Sequence, residues 1–173
     1  MDISKLDAAK RQLDTAINLY FKNADPISIH TLTAAAHQIL MDLAKLEGIK
    51  SIFKDTVLDI IVKDYEREYL SIISEAENFF KHAERDPRGL LKFNPEQTEF
   101  LLFDAVEMYI QVTKETPEDI SIYRVWFLLK NPNIINNEIK MKLMKKGLDY
   151  TRYAKITNKQ EFYNNVKTGL MSC

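Results

Sequence analysis

The stretch Ala76-Glu77-Asn78-Phe79-Phe80-Lys81-His82-Ala83-Glu84-Arg85-Asp86-Pro87-Arg88-Gly89 decides how the chain is read. Its first half is the tail of an apolar helical pattern. From about Asp55 to Ala83, Leu58, Ile61, Val62, Tyr65, Tyr69, Ile72, Ala76, Phe79 and Phe80 recur at three- and four-residue steps. Its second half is a charged turn closed by Pro and Gly, which ends the helix. Unbroken, such a helix would run about 40 Å at 1.5 Å per residue; Glu66-Arg67-Glu68 offers a place for a kink or break, though no Pro or Gly enforces one.

Two helices precede it. The first reads from about Ser4 to Lys22, with Ser4 as N-cap, Asp7 in the first turn and a stripe of Leu6, Ala9, Leu13, Ala16, Ile17 and Tyr20. Asn23-Ala24-Asp25-Pro26 stops it, and Asp25 caps a second helix with Pro26 at its first position. That helix, about Pro26 to Leu46, carries Ile29, Leu32, Ala36, Ile39, Leu40 and Leu43 on one face. His30, Thr33, His37 and Ala44 lie on its flank. With apolar or small residues on two sides, it is expected to be central, and Gly48 ends it.

On the other side of the turn, Asn94-Pro95-Glu96 opens a helix to about Lys114 through Phe100, Leu101, Phe103, Asp104, Val106, Glu107 and Ile110. Thr116-Pro117-Glu118-Asp119 starts another, holding Ile122, Val125, Trp126 and Leu129. A last one is expected from about Ile134 to Lys146, ending at Gly147. The expectation is an all-α fold, a helical bundle of about six helices over residues 1–147, followed by a basic, aromatic C-terminal extension over 148–173.

The composition agrees. The 173 residues are 46% hydrophobic and 28% charged, with four Gly and five Pro, too few turn residues for an all-β fold. A formal charge of −1 gives no general pull toward nucleic acid or membrane, so such binding needs a local patch. From Glu138 to Lys167, eight basic side chains against three acidic ones give net +5 while the remainder is −6, with Tyr150, Tyr153, Phe162 and Tyr163 interleaved. That segment is suited to phosphates and bases, or to a protein partner of the extension. A solvated helix whose aromatics pack on the body is the plainer reading. No apolar run approaches the roughly 20 residues of a membrane span, the start of the chain does not read as a signal peptide, and the single thiol, Cys173, points to a reducing, cytoplasmic setting.

Glu75, Asn78 and His82, at i, i+3 and i+7, fall along one line of a helix, and Arg85 and Arg88 follow on the turn. A histidine can trade protons near neutral pH, an asparagine can orient it or a substrate, and an arginine can hold a phosphate through two hydrogen bonds. His82, Asn78 and Arg85 are therefore the candidate catalytic residues for metal-independent cleavage of an RNA phosphodiester. Arg88, Lys81 and Glu75 are the candidate substrate contacts. The competing reading makes His82 a simple cap on a helix C-terminus. His30 and His37 lie two turns apart, about 10 Å along the axis, too far for both to bind one metal as a one-turn pair does. They read as hydrogen-bonded histidines at a helix interface. Neither a metal nor a cofactor is expected, and the phosphate-binding glycine motifs GxGxxG and GxxxxGK are absent.

The layout, with Asn78-Phe79-Phe80-Lys81-His82 at the end of a long helix, resembles the HEPN superfamily of small all-α bacterial proteins. That family's signature is an Arg, a polar residue, three further residues and a His. Asn78 and His82 match it, whereas Glu77 stands where the Arg is expected. The segment Ile29-His30-Thr31-Leu32-Thr33-Ala34-Ala35-Ala36-His37-Gln38-Ile39-Leu40 resembles the family's early helix. Gln12-Leu13-Asp14-Thr15-Ala16-Ile17 and Phe80-Lys81-His82-Ala83 also resemble phrases of a group of uncharacterised bacterial proteins. Over about the first 110 residues, the HEPN resemblance implies a bundle that forms a homodimer, brings two motifs together and acts on RNA. With Glu77 in place of the arginine, it implies either that Arg85 or Arg88 substitutes or that the protein binds RNA without cutting it. A non-catalytic helical module for a protein partner, contacted by Phe79, Phe80, Trp126 or the tail aromatics, is the alternative.

Overall fold

A computed structural model describes residues 1–49, 75–131 and 157–168. Among these, six helical segments and no strand are found, an all-α helical bundle. They are α1 (Lys5–Phe21), α2 (Pro26–Leu46), α3 (described over 75–81), α4 (Glu96–Thr113), α5 (Glu118–Lys130) and α6 (Lys159–Lys167). The start of the long third helix and its optional kink at 66–68, the helix expected over 134–146 and the boundary expected at 147/148 lie outside the described residues. The chain divides into two compact units, Met1–Glu115 and Thr116–Cys173.

In the first unit the helix ends are set by short-range chemistry. Ser4 and Asp7 form a reciprocal capping box: the Asp7 amide donates to Ser4 Oγ at 3.0 Å, and the Ser4 amide donates to Asp7 Oδ2 at 3.3 Å. The Ser4 hydroxyl, then its amide, hold the Asp7 carboxyl below its ordinary pKa. Asn23, at φ 54°, turns the chain, and Asp25 caps α2 by accepting from the Ser28 amide at 2.7 Å, with Pro26 following. At the far end, Gly48 takes φ 68°, and the Ile49 amide reaches back to the Ala44 carbonyl at 2.8 Å while the Gly48 amide bonds the Lys45 carbonyl. This is the Schellman closure that favours glycine, because a Cβ disfavours that backbone region.

Five of the six stripe residues on α1, Ala9, Leu13, Ala16, Ile17 and Tyr20, are buried, Leu6 in the first turn is half-buried, and Phe21, outside the expected stripe, is buried too. Four residues join α1 to α2, so the pair forms a hairpin. Helix α2 packs on α1 and on α4, which is why its buried residues fall on two flanks: Ile29, Ala36 and Leu40, and also His30, Thr33 and Ala34. Ala34 and Leu101 pack together between α2 and α4. The buried Thr33 hydroxyl is satisfied within its own helix by the Ile29 carbonyl at 2.7 Å. Helix α4 closes at Lys114 in the left-handed region, φ 60°, its amide bonded to the Ile110 carbonyl.

In the second unit, α5 buries Ile120, Ile122, Tyr123, Val125, Trp126, Phe127, Leu128 and Leu129, nearly its whole circumference. Helix α6 is capped by Asn158 and sets Phe162 against Trp126 at 5.1 Å between ring centroids. Tyr163 donates to Asp119 at 2.8 Å, and Lys167 bridges Glu118 and Asp119 at 2.6 and 2.7 Å. Burial pushes the Lys167 ammonium down, but Asp119 and Glu118 outweigh it and hold its pKa above the ordinary lysine range. At this end of the basic segment the aromatics pack and Lys167 is spent on internal acids.

Ala34 faces Leu101 in the α2/α4 seam, so Ala34→Leu is expected to cost about 1–3 kcal/mol by overpacking. The same change at exposed Thr31 is expected to stay within about 0.5 kcal/mol, and urea unfolding of both variants checks the difference.

Candidate functional site

Helix α3 delivers the predicted residues to its own C-terminal end. The His82 amide donates to the Asn78 carbonyl at 3.1 Å, closing the last turn. The His82 side chain is 38% exposed and its Nδ1 lies 3.3 Å from Glu84 Oε1. The Glu84 carboxyl sits below its ordinary pKa, chiefly through a hydrogen bond to its own backbone amide. Glu75 and Asn78 are exposed. Glu77, at the position where the HEPN motif carries arginine, forms an ion pair with Lys81 one turn on.

The turn that follows is tied by the Gly89 amide donating to the Asp86 carbonyl at 3.1 Å. The Asp86 carboxylate lies over position 89, 2.1 Å from where a Cβ would stand, so any larger residue there would have to turn that exposed side chain aside. Arg85 and Arg88 are exposed, and neither makes an ion pair among the described residues. Phe79, 37% exposed, stands edge-on to Phe80 at 6.0 Å. Asn78, His82, Arg85 and Arg88 thus share one helix end and its turn. Lys81 is drawn toward Glu77 rather than left open.

The other two histidines lie elsewhere. His30 Nδ1 shares a hydrogen bond of 3.0 Å with Thr98 Oγ1, and His37 Nε2 donates to Asp104 Oδ2 at 2.6 Å. The three histidines therefore have three separate partners, and no group of three metal-ligating side chains occurs among the described residues. His30 and His37 are helix-interface histidines. Their partners advance along α4 in the same direction as they advance along α2, six residues against seven, so α2 and α4 run parallel.

The seam carries a polar surplus. Asp104 and His30 are both buried, and Asp104 Oδ1 and His30 Nε2 have no hydrogen-bond partner among the described residues. His37, 21% exposed at its side chain, is the group that satisfies the other carboxylate oxygen. Sequence reasoning placed Asp104 in the α4 pattern without assigning it a partner. The available signal was a carboxylate interrupting an apolar stripe, since such a group needs a donor when buried.

Comparison with protein-family models, curated proteins and solved structures gives no match.

Removing one half of the His37–Asp104 pair strands the other. His37→Leu is expected to cost about 3 kcal/mol, because it leaves a buried carboxylate without a donor. The double variant His37→Leu/Asp104→Leu is expected to recover most of that loss, and thermal melts at pH 7 distinguish this from simple additivity.

Proposed function

We propose that this chain is a HEPN-like helical protein that binds RNA through the end of α3 and the turn after it, and does not cut it. The observation that carries the reading is the pair of exposed guanidinium groups, Arg85 and Arg88, which make no ion pair among the described residues and are set beside Asn78 and His82. Arginine forks match phosphate geometry, and phosphate contacts supply most sequence-independent affinity for nucleic acid. His82 and Asn78 then hydrogen-bond the same backbone.

Cleavage asks for more. A phosphate undergoing attack gathers charge that a positioned cation must meet, and loss of one such donor costs about 10²-fold or more in rate. Glu77 puts a negative charge at the motif's cationic position and draws the neighbouring Lys81 to itself. His82 Nδ1 lies 3.3 Å from the Glu84 carboxylate. Binding without turnover follows from that charge arrangement.

Under this reading the protein works in the cytoplasm as a homodimer whose two α3 ends face one RNA. The single thiol at Cys173 and the absence of any helix long and apolar enough to cross a membrane among the described residues agree with that setting. A second reading, a module for a protein partner, is favoured by Leu90, 98% exposed, and Phe79, which put apolar surface on either side of the same turn.

Fluorescence anisotropy with a mixed-sequence single-stranded RNA tests the proposal. Binding is expected to weaken steeply with salt, and Arg85→Ala/Arg88→Ala is expected to reduce the slope of log K against log salt by about 1.4, at roughly 0.7 per phosphate contact. No binding at low salt rejects the reading. In EDTA no cleavage is expected, and cleavage abolished by His82→Ala would assign a nuclease instead. A salt-tolerant complex with a protein, sensitive to Leu90→Ser, would support the module.

A further inference from the structure

The His30 ring is sealed from solvent. Its Nδ1 meets Thr98, and its Nε2 has no hydrogen-bond partner among the described residues. Phe80 and Phe93 stand edge-on to it, with centroids 5.6 and 5.3 Å away and 5.2 Å from each other. Phe80 belongs to α3, and Phe93 to the connector entering α4. The two phenylalanines therefore bracket residues 80–93, the segment that carries His82, Arg85 and Arg88.

We propose that His30 is an acid-sensitive latch: the neutral ring locks Phe80 and Phe93 against α2, and protonation of the ring releases residues 80–93 from that helix. The reason is a count of donors. A neutral imidazole has one N–H and one lone pair, so a single partner, the Thr98 hydroxyl, leaves one nitrogen bare. An imidazolium has two N–H donors. The Thr98 oxygen can accept one, and the other, at Nε2, points into hydrocarbon and carries charge with it.

The charged groups that the ring feels do not rescue it. Glu77 favours the cation and Lys81 opposes it, and those two α3 side chains are paired with each other. Helix α4 presents the neutral Thr98, while its Asp104 is taken by His37. Lys92 on the connector is exposed, and α1 adds no charge that acts on the ring among the described residues. Burial dominates, and it holds the His30 pKa below the ordinary histidine value.

The sign follows from linkage. The released form takes up a proton that the locked form refuses, so the locked form is fully favoured above the ordinary histidine pKa and loses ground as pH falls through about 6.5. This holds whether or not the segment binds RNA, because it depends only on the packing of His30.

Hydrogen exchange on the full chain at pH 7.5 and 5.5, corrected for the intrinsic effect of pH, tests it. The opening equilibrium of amides over 80–93 is expected to rise at the lower pH, by up to about tenfold, with α1 amides unchanged. His30→Asn, which can still bond Thr98 but takes no proton, is expected to abolish that rise. Should His30→Asn fail to fold, the wild type decides the matter. With only three histidines in the chain, the His30 ring resonance can be followed by NMR and is expected not to titrate between pH 7 and 6 while the segment stays protected. A uniform response across the first unit, a rise that persists in His30→Asn, or ordinary titration of His30 with 80–93 still protected would each overturn the latch.

Discussion

Two hydrogen bonds across the α2/α4 seam set the register on which the first unit depends. Apolar contacts such as Ala34 against Leu101 favour bringing the helices together, but they tolerate sliding by a turn. His30 with Thr98 and His37 with Asp104 do not tolerate it. A one-turn slip would leave a buried carboxylate with no donor at all, a loss of several kcal/mol. The polar pairs add little net stability beyond what an apolar seam would give. What they supply is a reason for one alignment over its neighbours, and because both pairs advance in the same sense they also fix the parallel direction. A parallel arrangement needs a long return path between α2 and α4, and α3 lies on that path in the sequence.

The parts of this fold written in short-range chemistry were legible in the sequence. Ser4 with Asp7, Asp25 with Pro26 and the left-handed Gly48 mark helix ends because their partners lie within five residues, so spacing alone determines them. The α1 stripe was legible for the same reason. The two-sided burial of α2 could also be read from the small and apolar residues on its flank. What spacing cannot encode is a partner 67 or 68 residues away. Asp104 looks like a solvated charge until His37 is brought to it, and His30 looks like His37 although one is sealed and the other half open. On α5 the stripe Ile122, Val125, Trp126 and Leu129 was visible, but Ile120, Tyr123, Phe127 and Leu128 are buried too, and a helix enclosed on nearly all sides has no single face for periodicity to report.

The candidate site divides along the same line. Asn78 and His82 were placed at one helix end by counting residues, and the backbone bond from His82 to the Asn78 carbonyl joins them there. Their charge environment was not legible, because it depends on rotamers. Glu77 and Lys81 are four residues apart in the orientation that favours pairing on a helix, so a nominal phosphate contact is drawn toward a neighbour. In α6, Lys167 is held by Glu118 and Asp119, which are about fifty residues away in sequence. A net charge summed along the chain overstates what a ligand can meet.

That correction bears on how the exposed arginines are held. Arg85 and Arg88 are exposed on a turn that closes on its own backbone, the Asp86 carbonyl accepting from the Gly89 amide. The turn hangs from α3, and α3 is held to α2 by the Phe80–His30–Phe93 cluster. The position of the two open cations therefore rests on packing around a histidine with one unsatisfied nitrogen. A leucine of similar volume would fill that space with no bare polar atom, and at constant pH would serve the packing as well or better. What leucine would lack is a ring that packs as a hydrophobe when neutral and repels its own cage when charged. That difference makes His30 a point at which proton concentration acts on the surface carrying Arg85 and Arg88.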